Sequence, residues 1–445
     1  MNNIPAQAST GWGGAKSRPH SRARTRLRDV IPPLAAVGGL LLANLAYGAV
    51  QPVAALPLSG LFVVIAVAAL LGAGPRHVTI GMMAGAAVIA IMGVTGLAGP
   101  IDRAAPHLAI MFAAGALWIT GYIAARHRSS LDLAWNTLIW SSIAYCSWMF
   151  ALEVAGTPSG QNAIADAFET PANAALLFGL FAVLGMSRVL HVIKQMDAEA
   201  LPRSRMIDQL LRTGLGGLLL IITSLTCLAM IGSRPGMIFT IAVMVAHMWW
   251  DTLSITKREH RGVSARLGAI LAPFLAIGLI AWGVMDGWLH DETVAAGVGG
   301  SDQLTNVQRI QAYMSAWMEN PVFGSGLGSA EIVRDRVTTL ANAKAMLAPG
   351  QTHNVFVTWL VETGLAGLSI LVVALTAMHG RIIAALRSHR TPRTFLRLAA
   401  IASLLMLLHG VTDSSLDLPS AVWLYAFLLG AACGVATGSR PASEQ

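Results

Sequence analysis

Two arginines and a histidine could act together on an anionic substrate. Arg234 follows a glycine–serine turn between two apolar runs, and Arg309 lies in a long polar segment. His353 ends that segment, where the next apolar run begins. Guanidinium groups are always charged and donate bidentate hydrogen bonds, which suits a diphosphate. A neutral histidine can accept a proton from a hydroxyl group. The set predicts transfer chemistry in which arginines stabilise a phosphate leaving group without a metal.

Each of these residues also has a simpler interpretation. Arg234 could snorkel to lipid headgroups, and Arg309 could lie on a solvated helix face. His353 could cap a helix together with Thr352 and Asn354. We favour a shared site because three such residues occur together.

Two acidic residues near these segments are further candidates. Asp413, in the last outer connection, could orient an arginine or bind a sugar hydroxyl. Glu362 lies within an apolar run, nine residues after His353, where an acid is costly and often functional. Its position on the opposite helix face favours a structural hydrogen bond between helices.

The elements that must position these residues are membrane helices. Of the 445 residues, 55% are hydrophobic and only 12% are charged, which is unlike a soluble domain. A span needs roughly 20 apolar residues. We predict an all-α polytopic membrane protein with about 12 spans: 30–49, 53–73, 78–99, 107–125, 132–155, 173–192, 212–231, 235–252, 267–287, 354–379, 396–412 and 418–438.

Basic residues alternate between the connections and predict the orientation. Every connection on one side contains Lys or Arg, whereas the connections on the other side hold little basic charge for their length, so both termini are expected in the cytoplasm. This places Arg234, Arg309 and His353 on the same, outer side. The basic character thus indicates contact with anionic membrane lipids and not with nucleic acid.

The predicted organisation has five parts. Residues 1–29 form a basic, disordered cytoplasmic tail, 30–287 form spans one to nine, and 288–352 form an outer lid loop. Residues 353–438 form the last three spans, and 439–445 form a cytoplasmic tail.

Two amphipathic helices are predicted within the lid. The first starts at the capping box 305–308 and ends at Asn320–Pro321, and the second extends to Pro349–Gly350. The glycine turn 324–328 between them could offer amides to phosphate oxygens.

Motifs for cofactors and metals are missing from the sequence. It has no P-loop, dinucleotide fingerprint or His-Glu-x-x-His, and its three cysteines lie singly in apolar runs. We therefore expect no cofactor and no metal, and we assign the cysteines to helix packing.

Several of these motifs resemble the O-antigen ligase and O-antigen polymerase superfamily of bacterial membrane proteins. The resemblance covers about residues 226–430. It rests on Gly232-Ser233-Arg234, on Arg309 with Trp317 and the segment 320–326, and on His353-Asn354 followed by Leu360, Glu362, Gly364, Leu365 and Gly367.

The resemblance implies a GT-C-like, inverting, metal-independent glycosyltransferase of the bacterial inner membrane, with its active site facing the periplasm. The donor would be a glycan on undecaprenyl diphosphate, and the acceptor of a ligase would be the lipid A core. By this analogy Arg234 and Arg309 hold the diphosphate and His353 activates or positions the acceptor, with Asn354 and Asp413 as further substrate-binding candidates.

Two alternatives stay open. A polymerase of O-antigen or exopolysaccharide repeats would need two diphosphate-binding regions, so the modest number of outer basic residues favours a ligase. We separately expect the protein to be a monomer. A transporter or flippase of lipid-linked sugars would also suit twelve spans, but transporters place charges near the midplane of the bilayer.

Overall fold

The computed structural model describes residues 27–73, 101–156, 170–198, 208–256, 299–343, 354–387, 393–412 and 418–438, with isolated residues between these ranges. Within them the chain forms α-helices and no strand. The helices are α1 (Leu27–Leu45), α2 (Pro52–Gly72), α3 (Ile101–Ala124), α4 (Arg128–Ala155), α5 (Pro171–Ala198), α6 (Leu215–Ile231), α7 (Arg234–Thr256), α8 (Gly299–Glu319), α9 (Ala330–Val337), α10 (Val355–Arg387), α11 (Arg393–Thr412) and α12 (Pro419–Gly438).

The described helices confirm a polytopic membrane protein. In this part of the chain, nine helices are long and apolar enough to cross a membrane. One of the nine joins α6 to a preceding π-helical turn, Leu210–Gly214. The predicted span 235–252 is the helix α7, which is not among the nine. The predicted spans 78–99 and 267–287 lie largely or wholly outside the described residues.

Close contact between α3 and α12 fixes the centre of the bundle. A Cβ atom at Gly430 would meet the Trp118 carbonyl oxygen, and one at Gly121 would meet the Phe427 carbonyl oxygen. Small residues allow such approach in membranes, where dispersion contacts replace the hydrophobic effect between helices.

The cysteines serve packing, as predicted. All three are free and buried. The Cys227 thiol on α6 donates to the Cys146 carbonyl oxygen on α4 at 3.3 Å. This contact joins two neighbouring helices of the core.

A buried charged cluster joins α5, α7 and α11 at the end predicted to be cytoplasmic. The Asp251 carboxylate contacts Lys194 Nζ at 2.7 Å and the Arg397 guanidinium. His247 hydrogen-bonds Ser187 at 2.9 Å. Both His247 and Asp251 are buried, and the acid is neutralised within the bundle.

In its described residues the lid forms the helices α8 and α9, whose bounds differ from the predicted ones. The helix α8 begins at Gly299, six residues before the predicted capping box, and ends before Asn320–Pro321 as predicted. The second helix, α9, stops at Val337. It does not continue to Pro349, because the side-chain oxygen of Asn342 accepts the Thr339 amide at 2.6 Å and forms a turn.

Candidate functional site

A break in α10 anchors the lid. Gly364 has φ 64° and ψ −169°, which is not helical. The amides of residues 365 and 366 therefore do not bind the carbonyls of residues 361 and 362, and these four backbone groups need other partners. The lid turn, residues 320–329, takes up all four groups. From the lid, the Ser325 and Gly326 amides donate to the carbonyls of residues 361 and 362 at 2.8 and 2.9 Å. From α10, the Leu365 and Ala366 amides donate to the carbonyls of residues 321 and 322, both at 3.0 Å.

These bonds exclude one sequence interpretation. The amides of Ser325 and Gly326, suggested as donors to phosphate oxygens, instead bind backbone carbonyls of α10. A Cβ atom at Gly324 would lie 2.5 Å from the Glu362 carbonyl oxygen, so the two backbones touch. The glycine turn is therefore a docking element of the lid.

The break divides α10 into a short first part and a long second part. The 33 residues of α10 extend about 50 Å, whereas the hydrocarbon core measures about 30 Å. The segment after Gly364 is about 35 Å long and can span the bilayer alone. Glu362 lies two residues before the break, and its predicted position within the membrane stays a prediction.

Packing of α8 on α10 determines where Arg309 lies along the axis of α10. The end of α8 meets the break through the lid turn, and Tyr313 belongs to a buried cluster with Val361 and Val357. The two helices thus run side by side in the same direction. Arg309 precedes Tyr313 by four residues, about 6 Å along α8, and Asn354 precedes Val357 by three, about 4.5 Å along α10. Both therefore lie about one helical turn before this cluster.

Arg309 is buried, not solvated. Its residue is only 3% exposed, which excludes the solvated-face interpretation. Burial lowers the pKa of the Arg309 guanidinium, and the nearby Tyr313 opposes that shift. Arginine nevertheless stays protonated in proteins. Burial also raises the pKa of Tyr313, which therefore stays neutral near pH 7.

Asn354 ties the start of α10 to the end of α11. Its side-chain oxygen accepts the Phe356 amide at 2.9 Å and caps the helix. Its Nδ2 donates to the Val411 carbonyl oxygen at 2.8 Å. In the described structure these contacts position the helix, and its predicted role in substrate binding stays a prediction.

Arg234 is the exposed first residue of α7. Gly232 ends α6 in the left-handed conformation, with φ 71°, and reverses the chain. Two residues into α7, Gly236 packs between α5 and α11, since a Cβ atom there would meet Ala175 Cβ and lie 3.5 Å from His409 Cε1. His409 also contacts the Phe239 ring edge-on at 5.5 Å between centroids.

The end of α11 therefore links two of the predicted site segments. His409 contacts α7 near Arg234, and Val411, two residues later, binds Asn354. The packing of α8 brings Arg309 to the level of Asn354. His353 and Asp413 lie outside the described residues, so their predicted roles stay predictions.

Two contributors to this region were not assigned to the site from sequence. Tyr313 lies one turn after Arg309 and is part of a buried cluster. The sequence gives no sign of its role, because an aromatic residue beside an apolar stripe is common. The sequence signal for His409 is its place at the end of an apolar helix, where a polar side chain needs a partner.

The fold and the site define a class, a helical multi-pass membrane protein with two arginine-bearing segments at one end of the bundle. Residues 219–372 match the family model described as O-antigen ligase. This match confirms the family resemblance found from the sequence, and the matched segment contains Arg234, Arg309, Asn354 and the lid. A comparison with curated proteins found no significant match.

Proposed function

We propose that the chain is a membrane glycosyltransferase that ligates O-antigen from undecaprenyl diphosphate to the lipid A core at the outer face of the inner membrane. Members of the matched family are ligases and polymerases of O-antigen. The observation that carries the proposal is the parallel packing of α8 on α10. It brings the buried Arg309 to the level of Asn354, which is linked through α11 to the helix of Arg234.

The proposed step is a single displacement at the anomeric carbon of the donor sugar. The acceptor hydroxyl oxygen forms the new glycosidic bond while the bond from carbon to diphosphate oxygen breaks, which inverts the configuration. The hydroxyl proton passes to His353, and polyprenyl diphosphate leaves with the bonding electrons. Arg234 and Arg309 stabilise the negative charge that develops on its phosphates.

The two arginines suit different parts of this task. The exposed Arg234 lies at a turn that a lipid headgroup can approach from the membrane surface. The buried Arg309 acts in a region of low dielectric, where its charge is worth more than in water. In this proposal Asn354 and Asp413 bind sugar hydroxyls or orient the arginines.

The first test is a lipopolysaccharide gel from a host strain that lacks the gene. A ligase predicts loss of the glycan ladder from the lipid A core, with full-length polymer accumulating on the lipid carrier. A core that carries a single repeat would instead identify a polymerase. An unchanged ladder would contradict both functions.

Complementation with variants tests the site. Arg309→Lys keeps the charge but loses the planar fork, and Arg234→Lys does the same, so we expect each to lose most of the ladder. His353→Ala should abolish it. Arg212→Lys is the matched control, since Arg212 is an exposed residue outside the lid that pairs with Asp208 at 2.9 Å. Normal ladders from all three site variants would refute the assignment, provided that each protein inserts normally.

A transporter makes a different prediction at Arg234. We would introduce Arg234→Cys in a background that lacks the three native cysteines and label it from each side of the membrane. A transferase with a fixed outer site predicts labelling from outside only. Labelling from both sides would indicate alternating access and refute the transferase.

A further inference from the structure

Glu362 binds the lid at two points. Its carbonyl oxygen accepts the Gly326 amide at 2.9 Å, and its carboxylate Oε1 accepts the Ala330 amide at 3.1 Å. Ala330 is the first residue of α9, where helix amides have no partner within the helix. The side chain is buried, with 5% of the residue exposed. One residue of α10 therefore holds both the lid turn and the start of α9.

The helix α9 in turn holds α8. Val333 of α9 is fully buried in the cluster that contains Tyr313 and Ala316 of α8. At the rim, Arg336 of α9 pairs with Glu319 at the end of α8. These contacts form a continuous path from Glu362 through α9 to the helix that carries Arg309.

Distance separates Glu362 from the proposed reaction. It follows Asn354 by eight residues, which is about 12 Å along the axis of α10. Its carboxylate is directed at α9, as the bond to Ala330 requires. A role in proton transfer to the acceptor would need contact within hydrogen-bond reach.

We propose that Glu362 is a positioning residue, whose carboxylate fixes α9 and the lid turn on α10 and thereby sets the position of Arg309. The effect on transfer rests on the proposed function. What matters in this mechanism is the hydrogen-bond acceptor, because the bond to Ala330 needs an oxygen and not a charge.

Two substitutions of similar size separate the acceptor from the charge. Glu362→Gln keeps a side-chain oxygen for the Ala330 amide, whereas Glu362→Met fills the same volume without one. Glu331→Gln is the matched control, because Glu331 is exposed in the first turn of α9. All three would be purified in detergent and compared with the unchanged chain.

The first readout is hydrogen–deuterium exchange of the lid turn and the start of α9. We expect the amide of residue 330 to exchange about tenfold faster or more in Glu362→Met, because its side-chain acceptor is lost. The amides of residues 325 and 326 keep their backbone acceptors and should exchange faster only because the lid turn opens more often. The Gln variant and the Glu331 control should exchange like the unchanged chain. Unchanged exchange in the Met variant would overturn the proposal.

The second readout is transfer, measured as the glycan ladder in complemented cells. Glu362→Met should lose about tenfold or more of the transfer rate, and Glu362→Gln should retain most of it. A Gln variant with a protected lid but no transfer would overturn the proposal, since it would show that Glu362 acts through its proton or charge. If the unchanged chain transfers no glycan, the proposed function fails, while exchange still decides whether Glu362 anchors the lid.

Discussion

Replacing Gly364 by alanine should release the lid from α10. Gly364 has φ 64° and ψ −169°, a region that essentially only glycine occupies. A Cβ atom there would meet the Val322 carbonyl oxygen and lie 2.6 Å from the Gly324 amide nitrogen, so backbone would have to move. The substitution therefore disrupts the break in α10 to which the lid turn binds.

The size of the effect follows from two contributions. The unfavourable backbone conformation costs about 1–3 kcal/mol. Moving Val322 away gives up the bonds from residues 365 and 366 to the lid, worth about 0.5–1.5 kcal/mol each. Together they predict a loss of about 2–6 kcal/mol in the free energy that holds the lid on α10.

Gly380→Ala is the matched control in the same helix. No described atom lies within 4 Å of a Cβ atom at Gly380, and alanine in a helix is more stable than glycine by about 0.5–1 kcal/mol. Limited proteolysis of the purified protein measures the open population of the lid. We expect rapid cleavage within 320–343 for Gly364→Ala and none above background for Gly380→Ala. Equal cleavage of the two variants would refute the argument that the break is the anchor.

Three further predictions concern other contacts. Asp251→Asn should destabilise the bundle by about 3–5 kcal/mol in chemical unfolding, because Lys194 and Arg397 lose their buried counter-charge. The control is the exposed Asp208→Asn, and a smaller effect of Asp251→Asn than of this control would contradict the prediction. Gly430→Leu should lower the thermal midpoint by forcing α12 off the Trp118 carbonyl, whereas Gly438→Leu, with no described atom within 4 Å of its Cβ position, should not. Asn354→Ala should cost about 0.5–2 kcal/mol by removing a helix cap, and Asn354→Asp should recover most of that loss in the same unfolding assay.

Local patterns predicted the membrane helices and failed at the contacts between them. An apolar run of roughly 20 residues is a property of one segment, so the bounds of α2, α11 and α12 agree with the predicted spans within three residues. The break at Gly364 depends instead on the lid turn, residues 320–329, which lies 35 to 44 residues earlier in the sequence. A glycine inside an apolar run gives no sign of whether it packs a neighbour or opens the helix.

Charged residues show the same limit. The sequence marks Arg309 as an unusual basic residue, but helix periodicity alone cannot decide whether its face is covered. Burial of that face follows from α9 and α10, which pack against α8 through Val333 and Val361. Likewise, Asp251 and Arg397 lie in separate helices, and only the fold brings them together.

The amino-terminal half of the chain supports the lid from a second side. Leu327, at the centre of the lid turn, packs in a cluster with Ala104 and Leu108 of α3 and with Trp359 of α10. The family match begins at residue 219, so α3 lies outside the matched segment. The lid turn is therefore fixed by hydrogen bonds to the matched segment and by apolar contacts to the half before it. Because α3 is itself in close contact with α12, we expect the early helices to help hold the lid turn in place.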